Sequence, residues 1–366
     1  MVEYKSSDDF CLKTHTVFGI KKALELNQHL KDYKNIGIIV DKHIEQTPYW
    51  HEVYAKLSTL HIHTILVYDF NEPTYQLLEQ QRKMFEKEDI IIGVGGGSVI
   101  DFAKGLAFLA HNPNPAISYR GFPTNVNPPT PVIAVPTTAG SGSDVTFNAV
   151  FIDAPEKKKL GINTKLNFPS LAVLDPTFLQ SCPKNVLASS GMDALTHSIE
   201  AWGAKQSNPI TRAFSESAMK LLIDNLPCIN TNTNINVCSN LMFGAWLAGA
   251  GLMNSGSGPA GAFSYILGAN FGVPHGLATA VFLPHLVDFN ESHGFEYPLG
   301  RMATTIYDIC NALDIPYNDL SKIITINDVN KAILMEGIDH LQAAFDQNPV
   351  PFTISDAKKI IKEKML

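Results

Sequence analysis

The sequence predicts a two-part α/β protein, with a parallel sheet covered by helices in the N-terminal half and an all-α C-terminal half. Three observations carry this reading. Short runs rich in β-branched residues alternate with longer amphipathic stretches through the first half. Two of those runs end in glycine-rich loops. Beyond Leu171–Asp175, Pro176 and Pro183 punctuate a change to long segments with Ala, Leu and Met at helical spacing. The change falls near Thr177–Lys184, which gives domains over residues 1–178 and 179–366.

The strands are read at Ile36–Val40, Thr64–Tyr68, Asp89–Val94, Pro131–Val135 and Leu171–Asp175. Ile44–Leu60 and Thr74–Lys87 fall between strands and carry helical periodicity, the rhythm of a sheet buried on both faces. Val99–Ala110 continues the first glycine loop as a helix. In the second half Asn230–Asn236 reads as a polar loop between two helices.

Composition narrows the function classes. At 366 residues, the chain has material for about two domains. Against 28 basic side chains stand 35 acidic ones, a net charge of −7, and no basic block is present to neutralise a run of phosphates. Nucleic acid is therefore not expected as a partner. Charged residues make up 17% and apolar ones 45%, which suits a compact, buried fold. Cys11, Cys182, Cys228, Cys238 and Cys310 show no C-x-x-C spacing, and an odd count fits a reducing compartment. The N-terminus MVEYKSSDDF has no signal-peptide pattern, and the most apolar segment, Leu241–Met253, is shorter than the ~20 residues a bilayer requires. A soluble, cytoplasmic protein with no membrane partner is expected.

Gly93-Val-Gly-Gly-Gly-Ser98 joins a strand directly to a helix. Glycines let backbone N–H groups approach a pyrophosphate, and the helix N-terminus adds a favourable dipole, so Gly95, Gly96, Gly97 and Ser98 are candidate phosphate contacts. The alternative is a tight turn. The third glycine position of the usual dinucleotide fingerprint is Ser98, and no acid ends the next strand ~20 residues on. Pro136-Thr-Thr-Ala-Gly-Ser-Gly-Ser143 is a second such loop after a strand, with Thr137, Thr138 and Ser141 offering hydroxyls. Asp41 closes the first strand; it either accepts a hydrogen bond from a ribose 2′-hydroxyl, favouring NAD over NADP, or caps the next helix. Asp101 contacts the cofactor or only sits in the first turn of its helix.

In Ser190–Glu200, Asp193 and His197 stand at i and i+4 and so share one helix face, within reach of one cation. His275, between Pro274 and Gly276, is held at a turn before another apolar segment, as a ligand or as a structural histidine.

These segments together resemble the iron-containing (group III) alcohol dehydrogenase family. GGGSVID (Gly95–Asp101), PTTAGSGSDVT (Pro136–Thr146), GMDALTHSIEAW (Gly191–Trp202) and VPHGLATAVFLPH (Val273–His285) look like its two nucleotide loops and its first and last metal segments, in order. The resemblance implies a dehydroquinate synthase-like, Rossmann-like nucleotide-binding domain, a helical metal and substrate domain, and a homodimer. It implies hydride transfer between NAD and a primary alcohol or aldehyde, with a divalent metal, Fe(II) or Zn(II), on Asp193, His197 and His275. The family's fourth ligand would lie fourteen residues before His275, where this chain has Gly261, so a weakened site is expected. Ten residues before His275, where many members carry a proton-relay histidine, stands Tyr265, the candidate proton carrier beside the catalytic His275. Lys159 matches a lysine that contacts the cofactor in relatives, or belongs to a solvated charge run. His285 reads as structural.

The string Ala262–Tyr265 looks more like a branch with phosphonoacetaldehyde reductases and a sugar-acid (Kdo) oxidase than like simple alcohol dehydrogenases. Two other readings stay open: a dehydroquinate synthase-like lyase on the related fold, and a non-catalytic nucleotide binder.

Overall fold

The computed structural model describes residues 9–366, so most of the N-terminal stretch read above for a signal lies outside the described residues. The chain forms two compact units. Leu12–Pro183 and Asn234–Met242 make one, and residues 9–11, Lys184–Thr233 and Phe243–Leu366 make the other. The division falls after Pro183, inside the Thr177–Lys184 span though five residues beyond residue 178, and Asn234–Met242 from the second half groups with the first unit.

The first unit is an α/β layer structure. Its strands are β1 (His15–Phe18), β2 (Ile36–Asp41), β3 (Ile62–Tyr68), β4 (Ile90–Gly95) and β5 (Val132–Pro136), followed by the two-residue pieces β6 (Asn148–Ala149), β7 (Ile152–Asp153), β8 (Lys158–Lys159) and β9 (Ile162–Asn163), and by β10 (Leu171–Leu174). Six of them form one parallel sheet in the order β1-β10-β5-β4-β2-β3, while β6 pairs with β9 and β7 with β8, both antiparallel. Alternation sorts the central side chains to two cores. Ile91 packs on one face with Phe102 and Leu106, and Ile90, Ile92 and Val94 on the other with Trp50, Val53 and Leu57. Each fully buried Ile or Phe contributes ~1.5–3 kcal/mol, which is why both faces are apolar without break.

The helices of this unit are α1 (Lys42–Glu45), α2 (Pro48–Leu57), α3 (Tyr75–Gln81) and α4 (Gly97–His111). The single helix expected over Ile44–Leu60 is two. Pro48 has no N–H to continue α1, and Thr47 instead caps α2, its hydroxyl accepting from Trp50 N at 3.2 Å. The helix expected over Thr74–Lys87 tightens after Gln81 into a 3-10 turn, Arg82–Phe85. Strand β1 was not foreseen, because its four residues, His-Thr-Val-Phe, are half-exposed at the sheet edge and lack a long apolar run.

The second unit is helical, as the spacing predicts. It is built from α5 (Lys184–Gly203), α6 (Pro209–Asn225), most of α7 (Ile235–Met253), α8 (Pro259–Phe271), α9 (His275–Ser292), α10 (Met302–Ala312), α11 (Asp328–Ile338), α12 (Gln342–Phe345) and α13 (Ile354–Ile360). The expected Asn-rich loop ends at Asn234, whose side chain accepts the N–H groups of Asn236 and Val237 and starts α7. α7 is longer than its apolar stretch: at 19 residues it is long and apolar enough to cross a membrane, yet 61% of its most apolar window is buried within the protein, as in a core helix. All five cysteines are free thiols.

Candidate metal centre and nucleotide cradle

The cradle follows from the sheet order. β2 leads outward to β3, whereas β4 leads to β5 on its other side, so the strand order reverses between β2 and β4. Crevices beyond the carboxyl ends of strands at such a reversal are where open α/β sheets bind ligands. Three of the sequence-predicted groups lie at this edge. Asp41 ends β2, Gly95 ends β4 with Gly96–Ser98 just beyond, and the loop Thr137–Ser143 follows β5, with Gly95 in register with Pro136.

The two loops are locked together. Thr137 N donates to Gly95 O at 3.0 Å, and a methyl group at position 97 would lie 2.5 Å from Ser141 Oγ. Only glycine fits there while the loops stay this close. Gly96 caps α4 without a side chain, which leaves the first N–H groups of a 15-residue helix to an external acceptor. Gly96 in turn faces Thr138, whose hydroxyl would lie 3.4 Å from a methyl at that position. This backbone-lined, anion-ready edge fits a dinucleotide pyrophosphate.

Several predicted contacts also have partners within the protein. Asp41 does cap α1, its Oδ1 accepting from His43 N at 2.8 Å and Ile44 N at 3.3 Å. Asp101 takes a short hydrogen bond from the Ser143 hydroxyl and another from Val150 N at 3.0 Å, so its two carboxylate oxygens tie α4 to the loop after β5 and to the chain just past β6. Lys159 pairs with Glu72 at 2.8 Å.

Sequence reasoning missed Lys104, one turn beyond Asp101. It is wholly buried and donates to Ser143 Oγ (3.0 Å), Thr146 O (2.9 Å) and Asn148 O (2.9 Å). A lysine inside an otherwise apolar helix was the available signal. Burial pushes its ammonium down to about 8, against the pull of Asp101 and Asp144. Nearby Asp144 is pushed up to about 6 by burial, and its Oδ2 has no hydrogen-bond partner.

A stability prediction arises from Asp144. Its folded pKa lies above the ordinary carboxylate value, so between about pH 4 and 6 this group binds more protons in the native state than in the unfolded one, and its contribution to stability falls as pH rises through that window. Asp144→Asn is expected to flatten that fall by ~1–3 kcal/mol, read from urea unfolding midpoints across the window. An unchanged pH slope would mean that Asp144 ionises normally in the folded state.

The candidate metal centre belongs to the helical unit. Asp193 and His197, one turn apart on α5, project from the same face, and His275 opens α9. One donor atom from each of the three lies within 4.8 Å of the other two. His197 Nε2 is 3.5 Å and His275 Nε2 3.6 Å from Asp193 Oδ1, the spacing of atoms that share a cation rather than a hydrogen bond. Asp193 and His197 are buried, and His275 is a quarter exposed. A buried carboxylate converging with two imidazoles is a donor set for Fe(II), Zn(II) or Mn(II). The residues present fit a divalent metal.

Gly276 makes this convergence possible. A methyl group there would stand 2.2 Å from Ser189 O and 3.2 Å from Asp193 Cβ, so the first turn of α9 presses directly on the backbone of α5. The Thr279 hydroxyl, on the same helix, lies 3.0 Å from Gly276 O and 3.3 Å from Asp193 Oδ1.

At Gly261 no donor exists, and the space beside it is filled: an added methyl would lie 2.2 Å from Ser257 Oγ and 3.1 Å from Glu200 Oε2. Glu200, a second residue missed in the sequence, is buried on α5 and accepts from Gly258 N (2.8 Å), Ala260 N (2.7 Å) and Gly261 N (3.3 Å) at the start of α8. Burial raises its pKa, opposed by those same N–H groups. Its position, three residues after His197 and seven after Asp193, repeats the helical period and was the legible clue. Tyr265 stacks on His275, ring centroids 5.7 Å apart at 23°, and is 38% exposed. His285 lies apart from this group, with Nε2 2.8 Å from Tyr317 O, and burial lowers its pKa. Its structural reading fits that placement.

Comparison with known proteins agrees with this architecture. Residues 13–176 match the model of iron-containing alcohol dehydrogenases, and residues 187–356 that of the Fe-containing alcohol dehydrogenase family C-terminal domain. Alcohol dehydrogenase 4 of Schizosaccharomyces pombe is 32% identical over 77% of this chain and 68% of its own length. The 1,3-propanediol dehydrogenase of Citrobacter freundii is 36% identical over 62% of this chain, a match that spans only 60% of that enzyme. Sulfoacetaldehyde reductase from Bifidobacterium kashiwanohense, solved in complex with NAD+, superposes with a TM-score of 0.87 at 23% identity, covering 98% of each chain. The chain belongs to the iron-containing alcohol dehydrogenase family.

Proposed function

We propose that this protein is an NAD- and metal-dependent alcohol dehydrogenase, or aldehyde reductase, acting on a primary alcohol/aldehyde pair. The observation that carries the reading is the convergence of Asp193, His197 and His275 within 4.8 Å in a chain whose other unit presents a glycine-capped helix at a strand-order reversal. A bound nicotinamide would supply or accept hydride at the substrate carbon, and a divalent cation would polarise the substrate oxygen.

The protein's own groups have separate tasks. Asp193 Oδ1 and the Nε2 atoms of His197 and His275 would hold the cation, with Thr279 beside Asp193 and Ser264 beside His275. Tyr265, stacked on His275 and open to solvent, carries the alcohol proton between the substrate and water through Oη. Gly95, Gly96, Gly97, Ser98, Thr137, Thr138 and Ser141 receive the pyrophosphate. Asp101 and Lys104 act at one remove, by holding the second loop against α4. The reading extends to a small-molecule alcohol or aldehyde partner, which the family supports, and to a cytoplasmic location and a homodimer as expectations.

Two measurements test it. Metal analysis of the purified protein should find a divalent ion near one per chain, and a screen of alcohols and aldehydes, anionic ones included, should show NAD(H)-linked turnover. No turnover with Fe(II), Zn(II) or Mn(II) supplied, despite NAD binding, would leave only a nucleotide binder.

Cofactor choice depends on Asp41. Its cap uses Oδ1 alone, which leaves Oδ2 for a ribose hydroxyl, and its charge repels a 2′-phosphate. Asp41→Gly is expected to raise kcat/KM for NADPH at least ~10-fold relative to NADH, equivalent to about 1.4 kcal/mol. Equal use of both cofactors by the native protein would remove this role.

A further inference from the structure

Ser264 is completely buried on α8, and its hydroxyl lies within hydrogen-bonding distance of two groups: Gly261 O at 2.6 Å and His275 Nδ1 at 2.8 Å. A serine hydroxyl has one proton to donate. A carbonyl can only accept, so at 2.6 Å that proton is directed to Gly261 O. The Ser264 oxygen must then meet His275 Nδ1 as an acceptor, which requires an N–H on Nδ1. A neutral imidazole protonated at Nδ1 has its lone pair on Nε2. Nε2 is the nitrogen that faces Asp193 Oδ1, at 3.6 Å.

We propose that Ser264 is a positioning residue that holds His275 in the Nδ1–H tautomer through the chain His275 Nδ1–H to Ser264 Oγ–H to Gly261 O, presenting Nε2 as a metal donor. The inference rests on the reading of Asp193, His197 and His275 as a metal centre.

The chain of bonds works only if α8 is itself held in place, and Glu200 does this. Its carboxylate accepts three N–H groups at the start of α8 and the Ser257 hydroxyl at 3.1 Å. Because Glu200 rises from α5, the helix that carries Asp193 and His197, it sets α8, and with it Ser264, in register with two of the ligands. The Gly261 carbonyl that receives the Ser264 proton belongs to a residue whose own N–H is bound to Glu200. The two imidazoles are therefore unequal. His197 Nδ1 is buried and has no hydrogen-bond partner, so no such bond selects its tautomer, whereas that of His275 is selected before any metal arrives.

The test uses the full-length protein in two states. In the metal-free protein, long-range 1H–15N NMR well above the ordinary histidine pKa of ~6.5 reports the tautomer of His275, assigned by its loss in His275→Asn. Native protein should show a protonated Nδ1 and a bare Nε2, and Ser264→Ala should shift the ring toward Nε2–H. In the second state, Zn(II) or Co(II) affinity measured by chelator competition should fall 10–100-fold in Ser264→Ala. Ser264→Cys, nearly isosteric but a poorer acceptor, should fall between the two with little change in Tm. A purely structural serine would move Tm and leave the tautomer unchanged. An unaltered tautomer in Ser264→Ala and Ser264→Cys, or metal affinity within twofold of native for both, would overturn the proposal. Failure of the native protein to bind either ion would overturn it through the metal-centre premise, and the metal-free spectrum distinguishes that failure from the other.

Discussion

His197→Ala should give a folded protein that has lost both its metal and its turnover. His197 supplies one of only three side-chain donors, and among the described residues no further His, Cys, Asp or Glu joins the group. With two donors left, the protein competes poorly with water for the ion's coordination shell. The expected result is substoichiometric metal after dialysis and a fall in kcat/KM of at least ~10³-fold, since polarisation of a substrate oxygen by a cation contributes several kcal/mol. Folding should survive, because His197 Nδ1 makes no hydrogen bond whose loss would be felt. Metal analysis by mass spectrometry and steady-state kinetics check both halves. An unchanged rate would remove the metal from the mechanism and leave Asp193, His197 and His275 as a packing cluster.

Gly276→Ala should act on the same centre without touching a donor atom. The added methyl would meet the Ser189 carbonyl oxygen at 2.2 Å and its carbon at 2.7 Å, and both are main-chain atoms of α5 that cannot rotate away. Relief requires α9 to lift from α5 at its first turn, which carries His275 away from Asp193. Overpacking of this kind costs ~1–3 kcal/mol, so Tm should drop by several degrees. A displacement near 1 Å at a liganding atom is enough to cost ~10²-fold in rate. The sharper signature is metal affinity, which should fall more than stability does. Native affinity in a folded Gly276→Ala protein would show that the contact between the two helices does not set the position of His275.

Much of the site was legible locally because its parts are short and periodic. The i, i+4 spacing of Asp193 and His197 needs only a helix to bring the pair together. The glycines at 95–97 announced a close approach, and Ser141 Oγ, 2.5 Å from where a Cβ of residue 97 would stand, is what approaches. Two expectations were blurred for local reasons. Pro48 divides a helix that the apolar spacing had joined, and the half-exposed β1 carries no strong pattern of its own.

Asp101 shows where local reading stops. Its place in the first turn of a helix was visible, but its hydrogen bonds to Ser143 and Val150 span more than forty residues and turn a candidate cofactor contact into a brace. The same holds for Lys104 and Glu200, charges whose partners are backbone groups far along the chain.

By itself the sequence determined the alternation of most strands and helices, the two glycine loops and the family, and it singled out the three candidate donor residues, since each depends on neighbours within about a turn or on motifs written contiguously. Only the tertiary structure decided that His275 reaches Asp193 across 82 residues of chain. It also decided that Asp41 and the two loops share one sheet edge, and that Ser264 holds the imidazole. The physical reason is that contact between distant residues is set by the packing of whole elements, through close approaches such as Gly276 against Ser189, and no local pattern encodes that.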